Sequence, residues 1–207
     1  MAKLYLAALL AFGAASSLQA QPAVAINPSA DSAVERQRLH DLSYCLARAR
    51  PNWARQMLAK PYLSEDQARV ASYALGGRDT CLHSRDEIEV TFRTSSVVSS
   101  LAEYFLRSEM PQVDATRLAA ALSTMTPLNV SEDFGFCVAA RNPAAARALA
   151  LSAFNSPAET AAAERLRDAV ELCTLESETL TVDLQSLRAL TATALYRGVS
   201  AVREGRN

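Results

Sequence analysis

The chain has 207 residues, half of them hydrophobic, and its 21 basic and 22 acidic side chains leave a net charge of −1. That balance excludes the basic surface that a nucleic acid or an anionic membrane requires of a main partner. Once an N-terminal leader is set aside, about 185 residues remain, enough for one sizeable core or two small ones.

The leader comes first. Lys3 gives a short positive start, residues 4–15 are apolar and uncharged, and small residues follow, the pattern of an export signal. Two cleavage sites fit in part. A cut after Ala20 puts the bulky Leu18 at the −3 position. A cut after Ala25 satisfies the small-x-small rule through Ala23-Val24-Ala25 but lies far from the apolar run. The first is preferred for its position. The apolar run is shorter than the ~20 residues of a spanning helix, and no cysteine stands near it for a lipid anchor. Loss of Lys3 leaves 20 basic against 22 acidic residues, a net charge of −2. No later stretch reaches 18 uncharged apolar residues, so the expectation is a soluble periplasmic or secreted chain with no membrane insertion after signal removal. Residues 21–31 read as a loose N-terminal arm.

Four cysteines follow in two equal steps: Cys45 and Cys81 are 36 apart, Cys137 and Cys173 are 36 apart, and the pairs are offset by 92. Sliding the chain by 92 residues without a gap also superposes Asp41 on Asp133, Pro51 on Pro143, Ala54-Arg55 on Ala146-Arg147, Ser64 on Ser156 and Tyr104 on Tyr196. An offset this long is too large for a solenoid repeat and suggests two related helical units, at residues 32–107 and 131–207. In an exported chain an even cysteine count reads as disulfides. Three connectivities are open. Cys45–Cys81 with Cys137–Cys173 is favoured, because each unit of about 65 residues has a marginal core and gains most from its own staple. A crossed pairing would instead clamp the two units together.

Within each unit the spacing predicts four helices. The first carries the first cysteine, at residues 32–50 and 131–142. A second opens at the proline, at 51–60 and 143–154, since the residue before a proline is pushed out of the helical region. A third starts at a capping serine: Ser64-Glu65-Asp66-Gln67 is a capping box, and Ser156-Pro157-Ala158-Glu159 is the same device with proline at the first helical position. Gly76-Gly77 stops this helix early in the first unit, while the second unit has no such break. A short extended piece, at 88–90 and 180–182, precedes the fourth helix at 92–107 and 184–197, with Thr91 and Asp183 as N-caps. Val97, Val98, Leu101, Tyr104 and Phe105 form the apolar face of the first copy. Residues 108–130 hold a connecting helix, at 111–125, and a linker.

Candidate chemistry is sparse. His40, Cys45, Cys81 and His83 make a Cys2His2 set of the kind zinc favours, but Glu132 and Leu175 stand at the histidine positions of the second unit, so solvent-facing histidines and no metal or cofactor are expected. Cys81, His83 and Asp86 lie close in sequence, yet a cysteine held in a disulfide is no nucleophile. Asp41 with Arg55, and Asp133 with Arg147, recur in both units. They read as ion pairs fixing the corner at the proline, with an anion-binding arginine as the functional alternative. Trp53, Tyr104 and Tyr196 are possible interaction residues, against the alternative of boundary aromatics with satisfied polar atoms. No phosphate loop, GxSxG or HExxH occurs.

The segment Phe136-Cys137-Val138-Ala139-Ala140-Arg141-Asn142-Pro143, with Ala146-Arg147, Cys173 and the Leu187 to Tyr196-Arg197 helix, resembles a family of exported bacterial α-helical proteins built from paired-cysteine units. The first unit departs from it with Leu46, an earlier Arg48 and the glycine pair. The resemblance implies fold and compartment only. The expectation is therefore an all-α, disulfide-stapled protein of the cell envelope with a non-catalytic binding or structural role toward a protein partner. An inhibitor or immunity-type binder of an envelope enzyme is the first alternative, and an enzyme of unrecognised type the second.

Overall fold

Short polar side chains open most of the helices. In the computed structural model, which describes residues 24–29, 32–75, 81, 94–174 and 180–205, α1 spans Ala33–Ala49 behind Ser32, whose hydroxyl accepts the Glu35 N–H while the Glu35 carboxylate accepts the Ser32 N–H. The chain turns at Arg50 into α2, Pro51–Leu58. Helix α3 is Glu65–Leu75 and α4 is Thr94–Glu109. A 3-10 turn at Met110–Gln112 leads to α5, Ala115–Thr124, where the Asp114 carboxylate accepts from the N–H groups of Thr116 and Arg117. Then come α6, Val130–Arg141, capped by Asn129, and α7, Pro143–Leu151, capped by Asn142. Helix α8, Pro157–Glu164, is capped by Ser156 and is followed by α9, Arg167–Cys173. Asp183 caps α10, Leu184–Arg203, as its position predicts.

The mostly helical fold agrees with the sequence. Three local expectations are corrected. The arm at 21–31 is not loose throughout: Val24–Asn27 forms a strand, β1, parallel to β2 at Leu180–Asp183, with Ile26 opposite Val182. Ile26 packs on the core beside the buried Val182. The third helix of the second unit is broken into α8 and α9, because the chain tightens at Arg165 and turns the fully buried Leu166 inward. Asn129, rather than a serine at 131, starts α6. The leader, Gly76-Gly77, His83, Asp86, the extended piece at 88–90 and the Thr91 cap lie outside the described residues.

Helix α10 is the centre of the molecule. It is buried on nearly all sides and packs against α4, α5, α6 and α7. A helix with this pattern cannot be a surface helix. Two glycines allow the close approach. A Cβ on Gly198 would lie 2.7 Å from Leu118 Cδ1 and 2.9 Å from Leu122 Cδ2 of α5, and one on Gly135 of α6 would lie 3.1 Å from the Leu190 carbonyl oxygen.

Both favoured disulfides are formed. Cys45 is bonded to Cys81 and Cys137 to Cys173, with Cα atoms 5.7 and 5.9 Å apart and a separation of 36 residues in each. Closing a loop of that length restricts the unfolded chain by about 4 kcal/mol in the loop-entropy account. Two such bridges mark a chain that matures in an oxidising compartment.

Ser64 and Ser156 cap as expected, but the reciprocal bond goes one residue further back than in a standard capping box. The Gln67 side-chain oxygen accepts the Leu63 N–H, and the Glu159 carboxylate accepts the Asn155 N–H. Leu63 and Asn155 both take a positive φ, 58° and 54°. Asparagine tolerates that region and leucine does not, so the first of these corners is strained.

Candidate functional site

Two guanidinium groups of α10, one buried and one partly buried, organise the polar interior. The first is Arg188, 1% exposed. Its Nε and Nη2 donate to the two Glu103 oxygens of α4 at 2.8 and 2.9 Å, and Nη1 donates to Glu159 Oε1 of α8 at 2.8 Å. Nη2 also donates to the carbonyls of Ala150 and Ser152, at the C-terminal end of α7. Arg36 of α1 pairs with Glu159 as well and donates to Asn155 Oδ1 at 2.8 Å. Both guanidiniums lie near the Phe154 ring, 4.5 Å from its centroid for Arg36 and 4.3 Å for Arg188. Burial works against the Arg188 charge, but Glu103 and Glu159 outweigh it and hold its pKa above the ordinary value. Two cations and two carboxylates leave this cluster neutral.

His40 lies at its rim. Nε2 is 3.7 Å from Glu103 Oε2, Nδ1 is 3.5 Å from Asp41 Oδ1, and the ring packs 3.9 Å from Tyr44. Burial lowers its pKa from the usual value near 6.5, with Glu103 and Asp41 opposing and Arg188 assisting. A proton on His40 would give the neutral cluster a net positive charge.

The second guanidinium is Arg197. It pairs with Glu132 of α6 at 2.9 Å and donates to the carbonyls of Leu58 and Lys60 behind α2. Glu132 in turn accepts the backbone N–H groups of Tyr62 and Leu128. Burial lowers the Arg197 pKa against the pull of Glu132.

Beside Arg197 a trough of about 510 Å³ opens between α2 and α10. Ala59 and Met125 supply its apolar surface above the fully buried Leu58, and Asn52, Gln56, Ser200 and the charged Arg55, Arg197 and Glu204 line its polar side with Tyr196. Among the described residues the side chains of Asn52, Gln56 and Ser200 have no hydrogen-bond partner. Arg55 bonds Glu109 and reaches the Tyr196 hydroxyl at 3.4 Å, and the Glu109 bond raises its pKa. Arg203 bonds the other Glu109 oxygen at 2.5 Å. The trough thus offers exposed amides and a hydroxyl beside an apolar wall, with Arg55, Arg197 and Glu204 at its charged positions.

The residues singled out from sequence fall as follows. Arg55 pairs with Glu109 and not with Asp41, whose carboxylate is 68% exposed and accepts from the Gln37 amide at 2.7 Å. Asp133 and Arg147, both exposed, form no ion pair with each other among the described residues. The corner expectation failed because the turn at Pro51 aims Arg55 toward α4 rather than back along α1. Trp53 is half-buried against the core, and its indole N–H donates to the Val70 carbonyl at 3.1 Å, so it is no free anchor. Tyr104 stacks edge-on with Tyr44 and Phe105, and Tyr196 is 6% exposed. Cys45, Cys81, Cys137 and Cys173 are all in disulfides, and among the described residues no group of His, Cys, Asp or Glu side chains could hold a metal ion. Sequence reasoning missed Glu103, Arg188, Arg36 and the Arg197–Glu132 pair. Their signal is faint: Glu103 stands amid Leu101, Ala102, Tyr104 and Phe105, where a charge reads as the solvated side of an amphipathic helix. Comparison with protein-family models, with curated proteins and with solved structures found no match.

Replacing Arg188 by Met should cost about 3–5 kcal/mol, because Glu103 and Glu159 would be left buried with too little positive charge; urea unfolding measures it, and a loss below about 1 kcal/mol would contradict the clamp. For His40 the folded pKa lies below the unfolded one, so the unfolded chain binds the proton first. Its contribution to stability should therefore fall as pH drops below about 6.5 and level off below the folded pKa. The His40→Gln variant should lose less stability than the parent between neutral pH and pH ~5.5, read as the difference in Tm against pH. Parallel Tm curves would contradict this.

Proposed function

We propose that this chain is an exported, non-catalytic helical binding module of the cell envelope, and that a protein partner docks in the trough between α2 and α10. The observation that carries the reading is the placement of two exposed amides, Asn52 and Gln56, that make no hydrogen bond within the chain, opposite the Ser200 hydroxyl along one trough. Amide side chains offer a donor and an acceptor together, which suits the backbone of a bound peptide segment. The two disulfides support export. Among the described residues no helix is long and apolar enough to cross a membrane.

The module is built from one unit used twice. Positions 92 apart support this: Leu63 and Asn155 share a positive φ, and Arg50 and Asn142 share the same turn before a proline. The carbonyls of Leu58 and Lys60 correspond to those of Ala150 and Ser152, and each pair accepts from one arginine of α10.

A photo-crosslinker placed at Gln56, compared with one at the exposed Arg117 of α5, tests the docking site in envelope extract. One protein captured from position 56 and not from 117 is the expected result, and a hydrolase in that band would favour the inhibitor reading. Equal capture from both positions, or none, would overturn the trough as the binding site. Strand β1 bears on maturation too. A cut after Ala25 would remove Val24 and Ala25 from their register with β2. Sequencing of the exported protein should therefore begin at Gln21, and a mature chain beginning at Ile26 would contradict the strand's role.

A further inference from the structure

On the far side of Met125, a second trough of about 410 Å³ runs along α6. One stripe of that helix lines it: Asp133, Phe136, Cys137, Ala140 and Arg141. Asp133 and Arg141 are exposed at its two ends, eight residues or about 12 Å apart along the helix. Among the described residues neither has an ion-pair partner. Between them the stripe is apolar and low: Phe136 is 4% exposed, Ala140 is small, and Cys137 is committed to Cys173.

A negative end, an apolar middle and a positive end make a pattern that matches its own reverse. When two copies of α6 lie antiparallel about a two-fold axis through Cys137, Asp133 of each meets Arg141 of the other. A two-fold interface demands this kind of self-complementarity, in which residue i meets j and j meets i. A parallel arrangement would set like charges together. We infer that the α6 stripe is a homodimer surface, occupied by α6 of a second copy of this chain and closed by two symmetric Asp133–Arg141 pairs. Each position also favours the dipole of its own helix, acidic at the start and basic at the end, so the charges cost the monomer nothing. Exposed ion pairs contribute little singly, which makes this a weak, salt-sensitive dimer. The inference does not rest on the trough between α2 and α10.

Sedimentation equilibrium of the mature chain over a concentration series tests it, with circular dichroism melts confirming that each variant is folded. Asp133→Arg and Arg141→Asp should each weaken dimerisation about tenfold, since every single reversal turns two attractive pairs into two repulsive ones. The double variant D133R/R141D restores both pairs with signs exchanged and should dimerise close to the parent. A parent that stays monomeric at its highest soluble concentration would overturn the inference. So would a dimer indifferent to either single reversal, or a double variant that fails to recover.

Discussion

Arg188 sits in the second turn of the central helix with 1% of its surface exposed, and a charge in that place persists only if carboxylates and carbonyls come to it from several directions. The structure supplies them from α4, through Glu103, from α8, through Glu159, and from the C-terminal end of α7. Arg36 brings α1 into the same cluster. Four helices and the end of a fifth are thereby fixed in rotation as well as position, because each must aim one polar group into a single cluster, α1 through the Arg36–Glu159 pair. Apolar packing alone would not do this. The core is rich in alanine, and alanine faces can slide past one another with little change in buried area.

A buried ion cluster is a poor source of net stability, since desolvation offsets most of the attraction. Its value here is specificity. Helix α10 has apolar or small residues on nearly every side, so hydrophobic burial does not dictate which side faces which neighbour. Arg188 and Arg197 settle the choice. One faces the carbonyls behind α7 and the other those behind α2. A rotation of α10 would take both guanidiniums away from Glu103 and Glu132, and leave Glu159 with Arg36 alone.

Local chemistry was legible in the sequence; rotation and long-range pairing were not. The equal cysteine steps, the prolines at 51 and 143 and the serines at 64 and 156 gave the disulfide pairs and most helix starts, because each acts on its own few residues or within one loop. The expected Asp41–Arg55 pair failed for the opposite reason. Spacing says that two residues flank a corner but not which way each helix is turned there, and the true partner, Glu109, lies 54 residues on. Glu103 was hidden by its setting, as a single charge among apolar neighbours carries no mark of burial. The break at Leu166 escaped notice because no glycine or proline signals it. Its cause is tertiary: the core draws in a leucine. The trough beside α2 was invisible for the same reason, being made by the meeting of α2, α10 and Met125.

Strand β1 imposes an order in time. Val24 pairs with Leu180, which is 156 positions further on, and every described helix but the last lies between them. At ordinary synthesis rates of about 5–20 residues per second, the first strand waits roughly 10–30 s for its neighbour to be made. Until then the chain can form helices, but it cannot finish. The last helix brings both arginines and follows directly on β2, so the beginning of the chain is locked in the same moments that fill its centre.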